Sequence, residues 1–148
     1  MNAIRCNFVA AIACVALALP LSSIAAEDKV AQKPQKERVV IQVSDADPQK
    51  WNLALNNAKN VQTDLGADKT EIEIVAYGPG IGMLKADAII ANRVDDAVAS
   101  GVKVVACEIT MKAQKLTRDD MNQKIDYVPA GVVELMHRQQ QGYAYIRP

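Results

Sequence analysis

VVIQVSDADPQKWNLALNNAKNVQTDLG, residues 39–66, decides the fold class. Val39 to Val43 is a run of β-branched residues broken only by Gln42, the composition of a strand buried inside a sheet. The segment Ser44 to Pro48 then stops it. Asp47 is a good N-cap, and the fixed φ of Pro48 suits the first helical position, where no amide is needed. Trp51, Leu55, Ala58, Val61 or Gln62, and Leu65 follow at helical spacing, and Gly66 falls where a helix ends in a left-handed residue. Strand, tight turn, amphipathic helix and glycine stop make one βα unit.

The same unit recurs along the chain. Glu71 to Ala76 reads as a second strand, whose early alternation predicts one partly wet face near its start. Tyr77 to Gly82 reads as a loop. Ala86 to Ser100 reads as a helix with Ile90, Val94, Ala97 and Val98 on one stripe, ended by Gly101. Val102 to Ala106 is a third strand that delivers Cys107 at its carboxyl end. Beyond it come a short helix at Met111 to Lys115, a cap at Thr117 to Asp120 leading into one further turn, and a weaker strand at Ile125 to Val128. A helix from Ala130 to Gln141, closed by Gly142, and a last strand at Tyr143 to Ile146 complete the chain. Strands alternating with helices predict an α/β fold: a single domain, doubly wound, with a mainly parallel sheet of about five strands and helices on both faces.

The ends and the charge narrow the setting. Residues 1–26 have the form of an export signal, with Arg5 at the positive start, an apolar run from Phe8 to Leu19 broken by Pro20, and Ser23-Ile24-Ala25-Ala26 as the cleavage site. The apolar run is too short to span a bilayer, so no stable membrane insertion is expected after cleavage, and the mature protein is expected to be periplasmic or secreted. Cys6 and Cys14 leave with the signal. Cys14 faintly resembles a lipoprotein cleavage site but lacks the leucine expected three residues before it. Glu27 to Arg38 is charged, carries Pro34 and has no apolar period, so it reads as a solvated leader, with the folded domain expected at 39–148. The 17 basic and 17 acidic side chains leave the chain near neutrality, and aromatic residues are 4% of it. Neither a basic surface nor a base-stacking surface is available, which argues against nucleic acid as a partner.

In open parallel sheets, ligands bind outside the carboxyl ends of the strands, where the winding order reverses. Three segments of this chain end there: Ser44-Asp45, the loop Tyr77-Gly78-Pro79-Gly80-Ile81-Gly82, and Cys107. Cys107 is the one cysteine expected in the mature chain, and it therefore has no intrachain partner. A helix starting at about residue 110 would turn its amides toward the sulfur and favour the thiolate, with Lys112 helping and Glu108 opposing. The glycines of the loop permit a tight turn and close approach to an anion, but Met83 stands where a dinucleotide fingerprint has its third glycine. His137 is the single histidine and lacks companions for a metal site, so no metal or other cofactor is expected. Asp45 and Asp47 read as turn and cap residues, and Asp95-Asp96 and Asp119-Asp120 as solvated helix ends.

Several strings together point to a known family. A strand ending in Cys107, then Thr110-Met111-Lys112, Leu116-Thr117-Arg118-Asp119-Asp120, Val128-Pro129-Ala130-Gly131-Val132-Val133-Glu134-Leu135 and the closing 141–148 string QGYAYIRP resemble the DsrE/DsrF-like family, as does Tyr77-Gly78-Pro79-Gly80-Ile81. The resemblance covers about 38–148. It implies an α/β fold with a mainly parallel sheet, assembly into homo- or hetero-oligomers and, in the sulfur-relay members, a cysteine after the third strand that carries sulfur as a persulfide. Cys107 matches that cysteine. With it go Tyr77, Gly78, Gly80, Thr110 and Ser44 as residues shaping the site, and a sulfur donor and an acceptor, either thiol proteins or small thiols, as partners. Two features depart from the family pattern: the best-known relay members act in the cytoplasm, and Ile109 stands where many relatives carry a polar residue. The competing reading is a noncatalytic module that binds a small anion or a protein at the same strand ends, with Cys107 a buried structural residue.

The signal reading predicts that intact-mass measurement of the exported protein shows an N-terminus at Ala26 or Glu27. A full-length N-terminus, or a lipid on Cys14, would refute it.

Overall fold

A computed structural model describes residues 36–148. The expected signal segment, with Cys6 and Cys14, lies outside the described residues, as does most of the leader. Five strands form one sheet in the order β4-β3-β2-β1-β5, and every neighbouring pair is parallel. They are β1 (Glu37–Val43), β2 (Thr70–Ala76), β3 (Lys103–Cys107), β4 (Asp126–Val128) and β5 (Ala144–Ile146). Four α-helices connect them: α1 (Pro48–Leu65), α2 (Ala91–Ala99), α3 (Glu108–Ala113) and α4 (Gly131–Gln140). Among the described residues no helix is long and apolar enough to cross a membrane.

The first βα unit forms as its chemistry dictates. Val40 to Val43 are all buried, and the Asp47 carboxylate accepts the Gln49 amide at 2.8 Å, capping α1. Such a cap stabilises a helix by about 1 kcal/mol. Gly66, at φ 95°, ends α1 with its amide donating to the Gln62 carbonyl at 3.0 Å.

Successive strand residues point to opposite faces, and the two faces are built differently. On one, Val39, Ile41, Val43, Ile72, Ile74, Ala76, Val104 and Ala106 pack under α1, α2 and Met111 of α3 in a large apolar core. On the other, Val40, Val75, Val105 and Val128 meet Leu135 of α4, Tyr143 and the partly buried Tyr77. The asymmetry follows from topology. From β1 to β4 the chain steps one way across the sheet, so right-handed crossovers put every connection on one face; only the return from β4 to β5 brings a helix to the other.

Two connections differ from their sequence reading. Tyr77 to Gly82 is not an open loop: Gly78–Leu84 forms a 3-10 helix, with Ile81, Met83 and Leu84 fully buried. It lies so close to β1 that a Cβ on Gly80 would stand 2.3 Å from the Val43 carbonyl oxygen. Ala86 to Ser100 is not one continuous helix. Residues 85–90 are drawn into turns, with the Ala86 amide donating to the Asp120 carbonyl at 3.0 Å and Lys85 bridged to Met121, and α2 starts only at Ala91. Ile90 and Val94 still face the core. Asp95 does more than solvate a helix end, because it accepts from Asn122 and pairs with Lys124, both at 2.7 Å.

The partly wet face expected near the start of β2 is present at Glu71 and goes no further. Glu71 is exposed, but Glu73 is only 2% exposed, beneath α4, with Arg138 Nε 2.6 Å from its Oε2 and Lys103 Nζ 3.7 Å from its Oε1. The alternating pattern is real, yet the face carrying Glu73 is covered by the return helix.

Burial pushes the Glu73 carboxyl from the ordinary 4.5 up to about 7, against the opposing pull of Lys103 and Arg138. A carboxyl whose pKa rises on folding binds its proton more tightly in the native state, so its contribution is fully present below pH 4.5 and is lost as pH rises through about 7. That loss amounts to about 3 kcal/mol. Urea denaturation should therefore show the native protein losing stability relative to Glu73→Gln between those pH values. A stability difference between the two that stays flat across this window would contradict the assignment.

Candidate functional site

The apolar run Val104-Val105-Ala106 makes β3 a buried central strand, and it ends at Cys107, whose backbone is still extended (φ −77°, ψ 114°). The next residue is already helical. Cys107 is thus both the last residue of β3 and the N-cap of α3, with its sulfur accepting the Thr110 amide at 3.5 Å. A helix start near residue 110 is corrected to Glu108, and the change matters: the first-turn amide of Thr110 is hydrogen-bonded to the sulfur, with that of Ile109 close behind it.

Thr110 links the cysteine to the end of β2. Its Oγ1 accepts the Gly78 amide at 3.0 Å, which leaves the hydroxyl proton free to be donated to the Cys107 sulfur. Gly78 has φ +53°, a conformation glycine adopts without strain, and its carbonyl accepts from Gln114 Nε2 at 3.1 Å. Both polar ends of this residue are therefore held by side chains from α3 or its C-cap.

The opposite wall comes from the chain leaving β4. The Ile109 amide donates to the Pro129 carbonyl at 3.2 Å, and two residues later Gly131 opens α4. A Cβ on Gly131 would lie 3.0 Å from the Tyr77 Cβ and 3.3 Å from the Cys107 Cβ. The absent side chain lets the start of α4 close on the thiol. Burial alone would push the Cys107 thiol up, but the Thr110 hydroxyl and the amides of Gly131, Thr110 and Ile109 outweigh it and bring the group below its ordinary value. These are neutral dipoles. Neither Lys112 nor Glu108 is among them, and Glu108 instead pairs with Arg118 at 2.9 Å.

Cys107 is free and 5% exposed. Large apolar side chains are exposed on the two helices that start beside it: Ile109 at 63% on α3, and Val132 and Met136 at 55% and 53% on α4. Tyr77, Gly78 and Thr110 converge on the sulfur. Ser44 does not: β1 lies two strands from β3, about 10 Å across the sheet, and its Oγ accepts Gln42 Nε2 at 2.9 Å. Gly80 serves the packing of the 3-10 helix on β1. The winding order reverses between β1 and β5, so the cysteine is at the carboxyl edge of the sheet but not at the reversal. His137 is exposed on α4.

Reading the sequence missed Gly131 and Gln114 as members of the site. The signal for Gly131 was a glycine inside the first turn of a helix, a place where propensity gives it no advantage and where close approach explains it.

The comparisons agree with this architecture. A structure of a protein of unknown function from Methanobacterium thermoautotrophicum matches with a TM-score of 0.73 and 34% identity, over 76% of this chain and 100% of that one. A conserved protein of unknown function from Bacteroides thetaiotaomicron (TM-score 0.63, 14% identity, 76% and 95% covered) and the ychN protein of E. coli (0.61, 12%, 76% and 99%) share the fold. No curated protein matches the chain. The family model of the DsrE/DsrF-like family matches residues 37–148, from the first residue of β1 to the last of the chain, and with that span of agreement the chain belongs to the DsrE/DsrF-like family.

Proposed function

We propose that this protein is an exported sulfur carrier, or sulfurtransferase-type thiol protein, in which Cys107 holds a sulfane sulfur. The observation that supports the reading is the set of neutral donors around one unpaired thiol: the Thr110 hydroxyl and three amides lower its pKa despite burial. A thiolate is the nucleophile that such chemistry requires. In the first step the Cys107 thiolate attacks the outer sulfur of a donor persulfide, R–S–SH. A new S–S bond forms as the donor's breaks, giving Cys107–S–SH and releasing R–S⁻. In the second, an acceptor thiolate attacks that outer sulfur, takes it with its proton and restores the Cys107 thiolate. Neither step changes the overall oxidation state, and neither needs a metal or an organic cofactor.

The surroundings fit a group that must hold its adduct. With no second cysteine in the described domain, no neighbouring thiol can discharge the sulfur as an intramolecular disulfide. The exposed Ile109, Val132 and Met136 offer an apolar rim for a protein donor or acceptor, or for another copy of the chain; light scattering at micromolar concentration, showing a mass above one chain, tests self-association. A specific observation favours the noncatalytic reading. Cys107 is 5% exposed, as a structural cysteine would be.

Two measurements decide between them. Thr110→Val removes the hydroxyl donor at nearly constant volume, and it should raise the apparent pKa of Cys107 and slow its alkylation near neutral pH by about threefold, the lost thiolate being partly offset by the greater nucleophilicity of a more basic thiolate. An unchanged pH profile would remove Thr110 from the site. Incubation of the folded mature protein with polysulfide, followed by alkylation and mass spectrometry, should then find one added sulfur on the Cys107 peptide and none in Cys107→Ser. Should Cys107 stay unmodified while a small free thiol reacts under the same conditions, the noncatalytic reading stands.

A further inference from the structure

Glu73 is placed where an apolar residue would serve the sheet. It stands in the middle of β2, on the face covered by α4, beside Val40 in the β1 register and two residues before Val75. An ionised carboxylate there costs desolvation that a valine would not. The charged groups facing it are Lys103 from β3 and, from α4, Arg138 and Glu134, with Glu134 also 2.9 Å from the Arg138 Nε. Arg138 lies over the ring of Tyr143 at 5.3 Å, and the Tyr143 hydroxyl donates to Glu71. The arginine is therefore fixed in place.

Only one of the arginine's two carboxylates can fix α4 against the sheet. Glu134 rides on the same helix, so its pair with Arg138 moves with the helix, whereas Glu73 belongs to the sheet. The anchoring matters because the helix has little other hold. Gly131 and Leu135 are its only buried residues. Arg138 is seven positions after Gly131, about 10 Å of continuous α-helix that carries a displacement at one end to the other.

We infer that Glu73 is a positioning residue for Cys107: by anchoring Arg138 to β2 it holds α4 at the depth where the Gly131 amide acts on the sulfur. The inference rests on Cys107 being the working group of the protein, and it adds a residue that touches neither sulfur nor substrate. Its high proton affinity accords with this role, since a carboxylate that burdens stability in its charged form is explained by what its geometry fixes.

The test is the pH profile of Cys107 alkylation by iodoacetamide, a neutral reagent, on the folded mature protein from about pH 7.5 to about pH 10, where the native Glu73 carries its charge. Glu73→Gln keeps the shape and releases the anchor; the apparent pKa of Cys107 should rise by about half a unit or more, and the plateau rate at high pH should increase as α4 loosens. Arg138→Gln releases the same contact from the helix side and should move the profile the same way, while Arg138→Lys, which keeps the charge, should restore most of the native value. Gly131→Ala calibrates the far end, because its added Cβ must displace α4 directly. A merely structural role for Glu73 would lower the unfolding temperature and leave the profile on the native curve, and that result overturns the inference, as does a Gly131→Ala profile that does not move. Failure of polysulfide loading with the expected profile shifts intact would instead count against the carrier reading alone.

Discussion

One topological constraint organises the molecule: four strands are laid down in one direction across the sheet, and a single helix must carry the chain back across the other face to β5. Right-handed crossovers leave no alternative placement for that helix. One face is therefore sealed by α1, α2, α3 and the 3-10 helix at 78–84, and the other by ten residues of α4. The second face is thin. It has room for Glu73 and Gln42 among its buried residues, while the first face buries apolar side chains along its strands apart from Thr70 at the start of β2.

Cys107 shares the face of Val105, the thin one, yet the helix that follows it turns to the thick one, where Met111 joins the core. The sulfur is consequently flanked by two helix starts from opposite sides of the sheet. The start of α3 contributes the amides of Thr110 and Ile109 and the start of α4 that of Gly131, and neither brings a lysine or arginine into effective range. A thiolate stabilised in this way depends on distances and angles of neutral dipoles, which fall off steeply with displacement. A cation would tolerate looser placement. This is why a glycine at 131 and the clamp on Gly78 matter to the site as much as the cysteine itself.

Most of the fold could be read from the chain, because its first βα unit states its own boundaries in Asp47, Pro48 and Gly66 and the later units repeat the pattern. The failures have physical causes. Residues 86–90 look helical by periodicity, but long-range backbone pairing of Lys85 with Met121 and of Ala86 with Asp120 competes at the start of that segment and wins. Glu73 looks solvated, since alternation along a strand reveals which residues share a face and says nothing of what covers it. The cysteine could be placed at a strand end from Val102 to Ala106 alone. Its role as the cap of α3 could not, because the start of that helix is set by where the Cys107 sulfur and the Pro129 carbonyl take up its first amides.

The two faces divide the physical tasks of the domain. The thick face buries Ile41, Ile74, Ile81, Met83, Leu84, Val94 and Val104 almost completely, and apolar burial on that scale is what folds a chain of this size. A helix resting on so few apolar contacts as α4 gains less from burial, and its position is correspondingly more sensitive to each polar contact it makes. Gly131 at one end and Arg138 at the other are such contacts, one on the thiol and one on the buried carboxylate. Stability and reactivity are thus drawn from opposite sides of the same sheet, so substitutions under α1 and α2 should act on the whole fold, while those under α4 can act on the cysteine with the fold still in place.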